Sequence, residues 1–299
     1  MNTADALQVQ AYHTHDVTEQ VRVTPGWQQH YRQMSPGHFS GELRCLGLDG
    51  LQVYEERLNT RVEQFFRPPQ GSLTFCFDRS ENNLYLLNEH TRNIWITPEH
   101  YQEVAVVFEQ AFLLSHGLDL ERLQGLFMVP LGSGQTALFG SWLSATLTHL
   151  GQSQGRVQGQ ALAEQLLHDC LFILDTACQR LQGVALGQQV EARAIMRRVS
   201  EWAADCPEQT LNLVELASVA GVSLRQLQQA FKAFTGMPPA QWLRLRRLNG
   251  ARRDLLNGAG GTVAEVAMQW SFWHLGRFSN SYRHLFKELP SDTLRRAKA

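Results

Sequence analysis

Short apolar runs with strand-like alternation dominate the first third of the chain. The clearest are Leu51–Tyr54, Leu73–Phe77, Leu84–Leu87 and Val104–Phe108. They are separated by segments containing Pro, Gly and Asn, which favour turns. Runs of this length and spacing are typical of an antiparallel sandwich or barrel. We therefore predict a β unit over residues ~20–115.

Beyond His116 the apolar positions recur at three- and four-residue spacing, which predicts helices over residues ~117–182. Within Gln160–Leu181 they occupy two adjoining faces of one helix. A small β unit covers only one of them, which leaves the other for the segment Trp142–Leu150 or for the same helix of a second subunit. We favour the second subunit and predict a homodimer with Leu166 in its interface.

From Glu191 onward the sequence repeats itself at a spacing of about 50 residues. In the first copy Ala217, Gly221 and Leu227 stand where a helix-turn-helix needs a small residue, a left-handed turn glycine and an apolar anchor. Ser223 is placed to cap the second helix. The first copy is therefore predicted to be a helix-turn-helix.

The second copy has Ala267, Phe278 and Tyr282 at the equivalent positions, after a turn that is one residue longer. Between the copies, Ala240–Leu256 predicts a single helix of about 25 Å at 1.5 Å per residue. Such a strut would hold two recognition helices roughly 34 Å apart, which is one turn of B-DNA. The C-terminal segment is thus predicted to be an all-α unit that reads two successive major grooves.

The charge distribution supports this prediction. Residues 191–299 hold 16 Lys and Arg against 9 Asp and Glu, a net +7, whereas residues 1–190 carry a net −8. A basic unit on an acidic body is expected if only the former meets phosphates. The five cysteines lack metal-ligand spacing. Without a signal-like or membrane-spanning apolar segment, the chain is expected to be cytoplasmic and free of membrane.

Residues 191–299 resemble the DNA-binding domain of AraC-type regulators. In the first copy the resemblance is carried by Leu216-Ala217, Gly221-Val222-Ser223, Leu227, Phe231, Phe234-Thr235-Gly236 and Pro239. In the second copy it is carried by Val266-Ala267, Phe272, Arg277-Phe278-Ser279, Tyr282, Leu285-Phe286 and Pro290. Ser271 and Lys287 depart from the pattern, because glycine is usual at both positions. The resemblance implies a transcription regulator whose partner is double-stranded DNA.

The same resemblance implies that the start of each recognition helix reads bases. These positions are Arg225, Gln228 and Gln229 in the first copy, and Leu275, Gly276, Arg277 and Asn280 in the second. Arg pairs with guanine and Gln with adenine in the major groove, and Leu275 is placed to touch a thymine methyl group. Phosphate contacts are expected from Lys232, Arg283, His284, Arg252 and Arg253.

The N-terminal segment resembles the cupin-type domain that precedes this module, through Met34–Gly41, Leu48–Leu51 and Glu56 to Asn59. This implies a sensing and dimerisation domain over residues 1–185, a linker at 186–190 and the DNA-binding domain at 191–299. A small-molecule effector and RNA polymerase are the further candidate partners that this resemblance suggests. Candidate pocket aromatics are Trp27, Phe65, Phe75, Trp95 and Phe108. The predicted class is α+β.

An alternative function is a cupin-type metal enzyme or metal sensor that uses His13, His15 and Glu19. Two imidazoles and a carboxylate make a reasonable open metal site, but the upstream glycine of that motif is Leu7 here. The segment also precedes the first strand that the pattern predicts. We therefore expect no catalysis, no metal and no cofactor.

Overall fold

Strands are the main elements of the chain up to residue 132, and helices occupy most of the rest. The computed structural model describes residues 8–298 except for 25, 92, 119, 153–158, 182–186, 206–210 and 259–260. Within these residues the strands are β1 Val9–Thr14, β2 Gln28–Gln33, β3 Gly41–Leu48, β4 Leu51–Leu58, β5 Val62–Arg67, β6 Ser72–Asp78, β7 Asn83–Asn88, β8 Asn93–Ile96, β9 Tyr101–Glu109 and β10 Leu131–Gly132. The helices are α1 Val17–Arg22, α2 Gln110–Ser115, α3 Gly134–Gln152, α4 Gly159–Leu181, α5 Gly187–Asp205, α6 Leu213–Ala220, α7 Leu224–Thr235, α8 Pro239–Leu256, α9 Val263–Gln269, α10 Leu275–Phe286 and α11 Pro290–Ala297.

The strands form two antiparallel sheets that face each other. The large sheet has the order β1-β3-β4-β9-β6-β7-β10 and the small sheet the order β2-β5-β8. Tyr31 and Gln64 of the small sheet donate hydrogen bonds to Glu56 of the large sheet. The α+β class and the N-terminal β sandwich are confirmed. The cupin-like assignment of the sandwich stays a prediction.

The outer face of the large sheet is covered by α3 and α4. Along β9, Val104, Val106 and Phe108 join the same apolar cluster as α3 and α4, whereas Glu103 and Ala105 line the space between the sheets. This is the period-2 alternation of a strand buried on both faces.

The reason given for a homodimer through α4 is wrong. Leu166 and Leu167 represent the two adjoining faces of α4, and both are only 2% exposed within a single chain. The preceding helix and the large sheet together cover both faces, with Leu143 and Leu147 of α3 in the same cluster. Among the described side chains of these helices, the large apolar ones that stay exposed are Leu138, Trp142 and Phe172.

Two predicted boundaries also need correction. The first strand begins at Val9, well before residue 20, and β1 pairs with β3 along its whole length. Residues 187–190, predicted to be a linker, form the first turn of α5, and residue 186 lies outside the described residues. The pattern missed β1 because its side chains are mostly exposed at the edge of the sheet.

The small sheet packs its outer face on the C-terminal helices. Met34 and Ile94 belong to the same buried cluster as the core of these helices, and Phe65 lies against it. The Asn249 side chain of α8 exchanges two hydrogen bonds with the backbone of Gln33, at 2.7 and 2.8 Å. The N-terminal sandwich and the C-terminal helices therefore share the small sheet as a common layer.

A buried ion cluster reinforces this contact. Glu63 of β5 is fully buried and accepts hydrogen bonds from Arg32 at 3.2 Å, from the indole N–H of Trp242 at 2.9 Å and from Arg246 at 3.1 Å. Nearby, Arg252 pairs with Asp16 at 2.8 Å. Because Trp242, Arg246 and Arg252 all belong to α8, this helix is tied to the sandwich by charge as well as by apolar packing.

The two sheets enclose a cavity of about 580 Å³ of empty space, its open mouth included. Trp27 and Trp95, two of the candidate pocket aromatics, line it. Phe75 and Phe108 do not, because they point to the opposite face of the large sheet under the helices. Phe65 lies against the C-terminal core instead.

The predicted metal alternative receives no support. The His13 imidazole lies 3.8 Å from Glu42, and Glu19 accepts a hydrogen bond from the backbone N–H of His15. No group of three or more His, Cys, Asp or Glu side chains among the described residues is arranged to hold a metal ion. In the same part of the chain, no helix has the length and apolarity needed to cross a membrane.

Candidate nucleic-acid interface

The first helix-turn-helix consists of α6 and α7. Each helix starts with a capping box, Asn212 with Glu215 and Ser223 with Gln226, which satisfies backbone N–H groups that the helix leaves free. Gly221 ends α6 in the left-handed region at φ 63°, where only glycine avoids a steric cost. These local signals fix where α7 begins and so which of its residues face outward.

The second helix-turn-helix consists of α9 and α10. A Thr262–Glu265 capping box starts α9. The two departures from the usual glycines both lie in the left-handed region, since Ser271 has φ 61° in the turn and Lys287 has φ 61° after α10. A non-glycine residue there costs roughly 1 kcal/mol or more. The second unit therefore keeps its geometry despite local strain at both ends of the recognition helix.

Helix α8 is the predicted strut between the two units, and it extends from Pro239 to Leu256. Its 18 residues give a length of about 27 Å. Trp242 and Leu255 are fully buried, and the ring of Trp270 lies directly against Gly250. A Cβ atom on Gly250 would come within 2.3 Å of that ring. Glycine is therefore required for the close approach of strut and second unit.

All nine predicted DNA-contacting positions are exposed. On α7 these are Arg225, Gln228, Gln229 and Lys232, and on α10 they are Leu275, Gly276, Arg277, Asn280 and Arg283. The opposite faces of the two helices are buried, with Leu227 and Phe231 on α7 and with Phe278 and Tyr282 on α10. Each recognition helix thus presents a mixed polar and cationic face that no part of the described chain covers.

Comparison with known proteins identifies this architecture. A family model described as a helix-turn-helix domain matches residues 216–296. The chain is 37% identical over 107 residues to XylDLEGF operon transcriptional activator 2 of Pseudomonas putida, and the match covers 35% of this chain and 68% of that protein. The chain belongs to the AraC family of transcription regulators.

Other relatives of this AraC-family chain match over about a third of its length. XylDLEGF operon transcriptional activator 3 of P. putida is 40% identical over 34% of this chain and 31% of its own length. A probable AraC family transcriptional regulator from Rhodopseudomonas palustris has 33% identity over 35% of this chain and 97% of that structure, with a TM-score of 0.32. The match thus covers about two thirds of the first relative and less than a third of the second. The likeness is to the DNA-binding domain.

One of the two predicted phosphate contacts on the strut of this AraC-family domain is wrong. Arg252 is buried, where it pairs with Asp16 and Glu288. The Arg253 guanidinium lies over the Trp270 ring at 5.7 Å and pairs with Asp254 at 3.3 Å. The Arg252 cation is thus engaged inside the chain and is not available to phosphates, whereas a phosphate contact of the partly exposed Arg253 stays a prediction.

The structure adds Trp273 and Arg244 to this face, and neither was predicted to contact DNA. Trp273 is 72% exposed and directly precedes α10 beside His274. Arg244 of the strut is exposed and donates a hydrogen bond to the Ser281 hydroxyl of α10.

Proposed function

We propose that the chain is a sequence-specific transcription regulator that places α7 and α10 in two successive major grooves and is controlled through its N-terminal sandwich. It acts as a binding protein and not as an enzyme. The observation that carries the proposal is the pair of uncovered polar helix faces held by one buried strut. A strut of about 27 Å brings two such helices to a separation of the order of one DNA turn.

Within this proposal the exposed residues divide into two roles. Base edges are read by side chains that match the donor and acceptor pattern of the major groove. On α7 these are Arg225, Gln228 and Gln229, and on α10 they are Arg277 and Asn280. Leu275 and Gly276 let the second helix approach closely. Lys232, Arg283 and His284 lie further along and hold the phosphate backbone, which sets position and not sequence.

The contacts of the small sheet support regulation of DNA binding through the sandwich, because one face of this sheet lines the cavity and the other contacts the strut. On β5, the Gln64 side chain faces the cavity and donates to Glu56 at 2.6 Å. The next residue, Glu63, faces α8 and holds Trp242 and Arg246. A small molecule that shifts β5 from the cavity side would therefore shift the anchor of the strut. We propose that such an effector changes DNA affinity by this route.

Two further partners belong to the same proposal. A homodimer would present four recognition helices, and the exposed Leu138, Trp142 and Phe172 are the apolar side chains of α3 and α4 that it would use. Sedimentation at tens of micromolar tests this, and a monomeric full chain would rule it out. The relatives are named as transcriptional activators, and we propose that this chain likewise activates through contact with RNA polymerase.

The DNA-binding role is tested on a site selected by the full chain from random duplexes. We expect Arg225→Ala to lower the affinity for this site by ~1–3 kcal/mol and to relax the preference at one guanine. Arg283→Ala should weaken selected and scrambled duplexes equally. The matched control is Arg197→Ala, an exposed arginine of α5 paired with Glu201, which should change neither. If Arg225→Ala lowers both affinities by the same factor, base reading by α7 is contradicted.

A further inference from the structure

The cavity between the two sheets has acidic and aromatic walls without any basic side chain among the described residues that line it. The aromatic lining residues are Trp27, Tyr31, Tyr54, Phe66, Tyr85, Trp95 and Tyr101, and the acidic ones are Glu56 and Glu103. The nature of its lining therefore restricts which ligands fit.

The two carboxyl groups lie on neighbouring strands in direct register. Glu56 of β4 pairs with Glu103 of β9 across the antiparallel ladder, so their side chains project from the same face of the sheet. Like charges directly opposite each other destabilise a sheet, and burial of an unpaired carboxylate adds to that cost. The arginines of the large sheet give no relief, because Arg44, Arg57 and Arg79 pair with Glu55 instead.

The hydrogen bonds of the two acids differ in a way that leaves room for a ligand. Glu56 accepts from Gln20 at 2.9 Å, from Tyr31 at 3.2 Å and from Gln64 at 2.6 Å. Glu103 accepts from Tyr101 and Cys76 at the same oxygen, Oε2. No described side chain donates to its other oxygen, Oε1, and Glu103 keeps part of its surface open on the cavity.

Other polar atoms of the lining also lack partners. The indole N–H of Trp27, the Oε1 atom of Gln29 and the hydroxyl of Thr24 are shielded from solvent and have no hydrogen-bond partner among the described residues. Buried polar groups without partners are rare in proteins and call for an explanation by an absent water, ion or ligand. All three residues line the cavity.

We propose that the cavity binds an organic cation, a primary or secondary ammonium compound whose charged nitrogen donates to Glu103 Oε1 beside Glu56. The proposal rests on the proposed function only in taking the cavity as the effector site. The ammonium group supplies the positive charge that the acid pair lacks, and the faces of Trp27, Tyr85 and Trp95 attract it further through cation–π contacts. The apolar body of the ligand fills the aromatic part of the cavity.

The protonation state of the pair gives this binding a signature. Burial, together with the Glu103 charge, raises the pKa of Glu56 to about 8, and burial raises the pKa of Glu103 as well. The groups that face Glu56 are Gln20 of α1, Tyr31 of β2, Gln64 of β5, Cys76 of β6 and Glu103. Tyr101 of β9 and Asp78 of β6 face Glu103. Near neutral pH Glu56 of the empty pair therefore holds a proton, which the charge of a bound ammonium ion would displace.

The test is calorimetric titration of the full chain with benzylammonium, cyclohexylammonium and butylammonium. Benzyl alcohol serves as the neutral counterpart and benzoate as the anion. We expect at least one ammonium compound to bind ten or more times tighter than both counterparts, with proton release that appears as a heat difference between Tris and phosphate buffers. Equal or tighter binding of the alcohol or of benzoate would overturn the proposal. So would no ammonium binding up to 10 mM (roughly 3 kcal/mol).

Variants locate the contact. Glu103→Gln keeps an acceptor for Tyr101 and Cys76, and it should weaken the ammonium tenfold or more while leaving benzyl alcohol unchanged. Glu42→Gln, on the opposite face of the large sheet and exposed, is the matched control and should leave ammonium affinity unchanged. Unaltered ammonium affinity in a folded Glu103→Gln protein would refute the site. DNA affinity is measured separately. Ammonium binding that leaves DNA affinity unchanged would support this inference and would contradict the proposed regulation of DNA binding through the sandwich.

Discussion

Replacing Glu63 with glutamine tests whether the buried ion cluster holds the strut to the sandwich. The substitution keeps the size of the side chain but removes the charge that Arg32, Arg246 and Trp242 donate to. Arg32 and Arg246 are 4% and 6% exposed, so each guanidinium would stay buried without a carboxylate. Removing one partner of a buried pair costs about 3–5 kcal/mol.

The expected cost lies toward the upper part of that range. Among the described residues the hydrogen bonds of Arg246 go to Glu63, and its Nη2 atom is buried without a partner. Burial and the Arg246 charge already lower the pKa of Arg32 to about 9 with Glu63 in place. Water cannot reach either cation unless β5 and α8 separate, so the loss should also appear as local opening.

The assay is urea unfolding of the full chain, combined with amide hydrogen exchange of β5 and α8. Glu201→Gln is the matched control, because Glu201 forms an exposed ion pair with Arg197 at 3.9 Å and should change the free energy of unfolding by less than about 1 kcal/mol.

A loss below about 1 kcal/mol, with unchanged hydrogen exchange in α8, would refute the reasoning. It would mean that the cluster is solvated or that apolar contacts alone hold the strut. The proposed route from the cavity to the recognition helices would then lack its anchor.

Three further predictions follow from single positions. Gly276→Ala should stabilise α10 by roughly 0.5–1 kcal/mol, since its Cβ meets open space, yet weaken DNA binding in a filter or anisotropy assay; unchanged affinity would place DNA away from Gly276. Gly250→Ala should lower the thermal midpoint by several degrees, because its Cβ would overlap the Trp270 ring, and a wild-type midpoint would contradict the close packing. Burial raises the folded-state pKa of Glu56 to about 8, so the free energy of unfolding should fall as pH rises from about 4.5 to about 8. In urea titrations at several pH values, Glu56→Gln should flatten that profile.

The DNA-binding domain could be predicted from the sequence because its signals are local. Capping residues such as Ser223 and the turn glycine Gly221 act within a few positions, and the apolar spacing of α7 and α10 shows directly which side chains point outward. The nine candidate contacts are accordingly exposed as expected. Whether they touch bases depends on DNA and stays a prediction.

The misassigned Arg252 and the unassigned Arg246 both depend on partners that are distant in sequence. Arg246 meets Glu63 across 183 positions, and Arg252 meets Asp16 across 236. Nothing in the pattern of the strut distinguishes these arginines from Arg244, which stays exposed. The apolar faces of α4 were assigned to a second subunit for the same reason. Their periodicity predicts that both faces are covered, but it does not show that α3 and the large sheet cover them.

The interface also changes the meaning of the charge asymmetry between the two parts of the chain. The net +7 of residues 191–299 was first attributed to phosphate contacts. Yet Arg246 and Arg252 are neutralised by Glu63 and Asp16 of the acidic N-terminal part. Their charges release no counterions when DNA binds, so the salt dependence of binding must come from the exposed cations of the recognition helices. Part of the positive charge of residues 191–299 thus forms ion pairs that join the strut to the sandwich. Only the remaining positive charge is available to a nucleic acid.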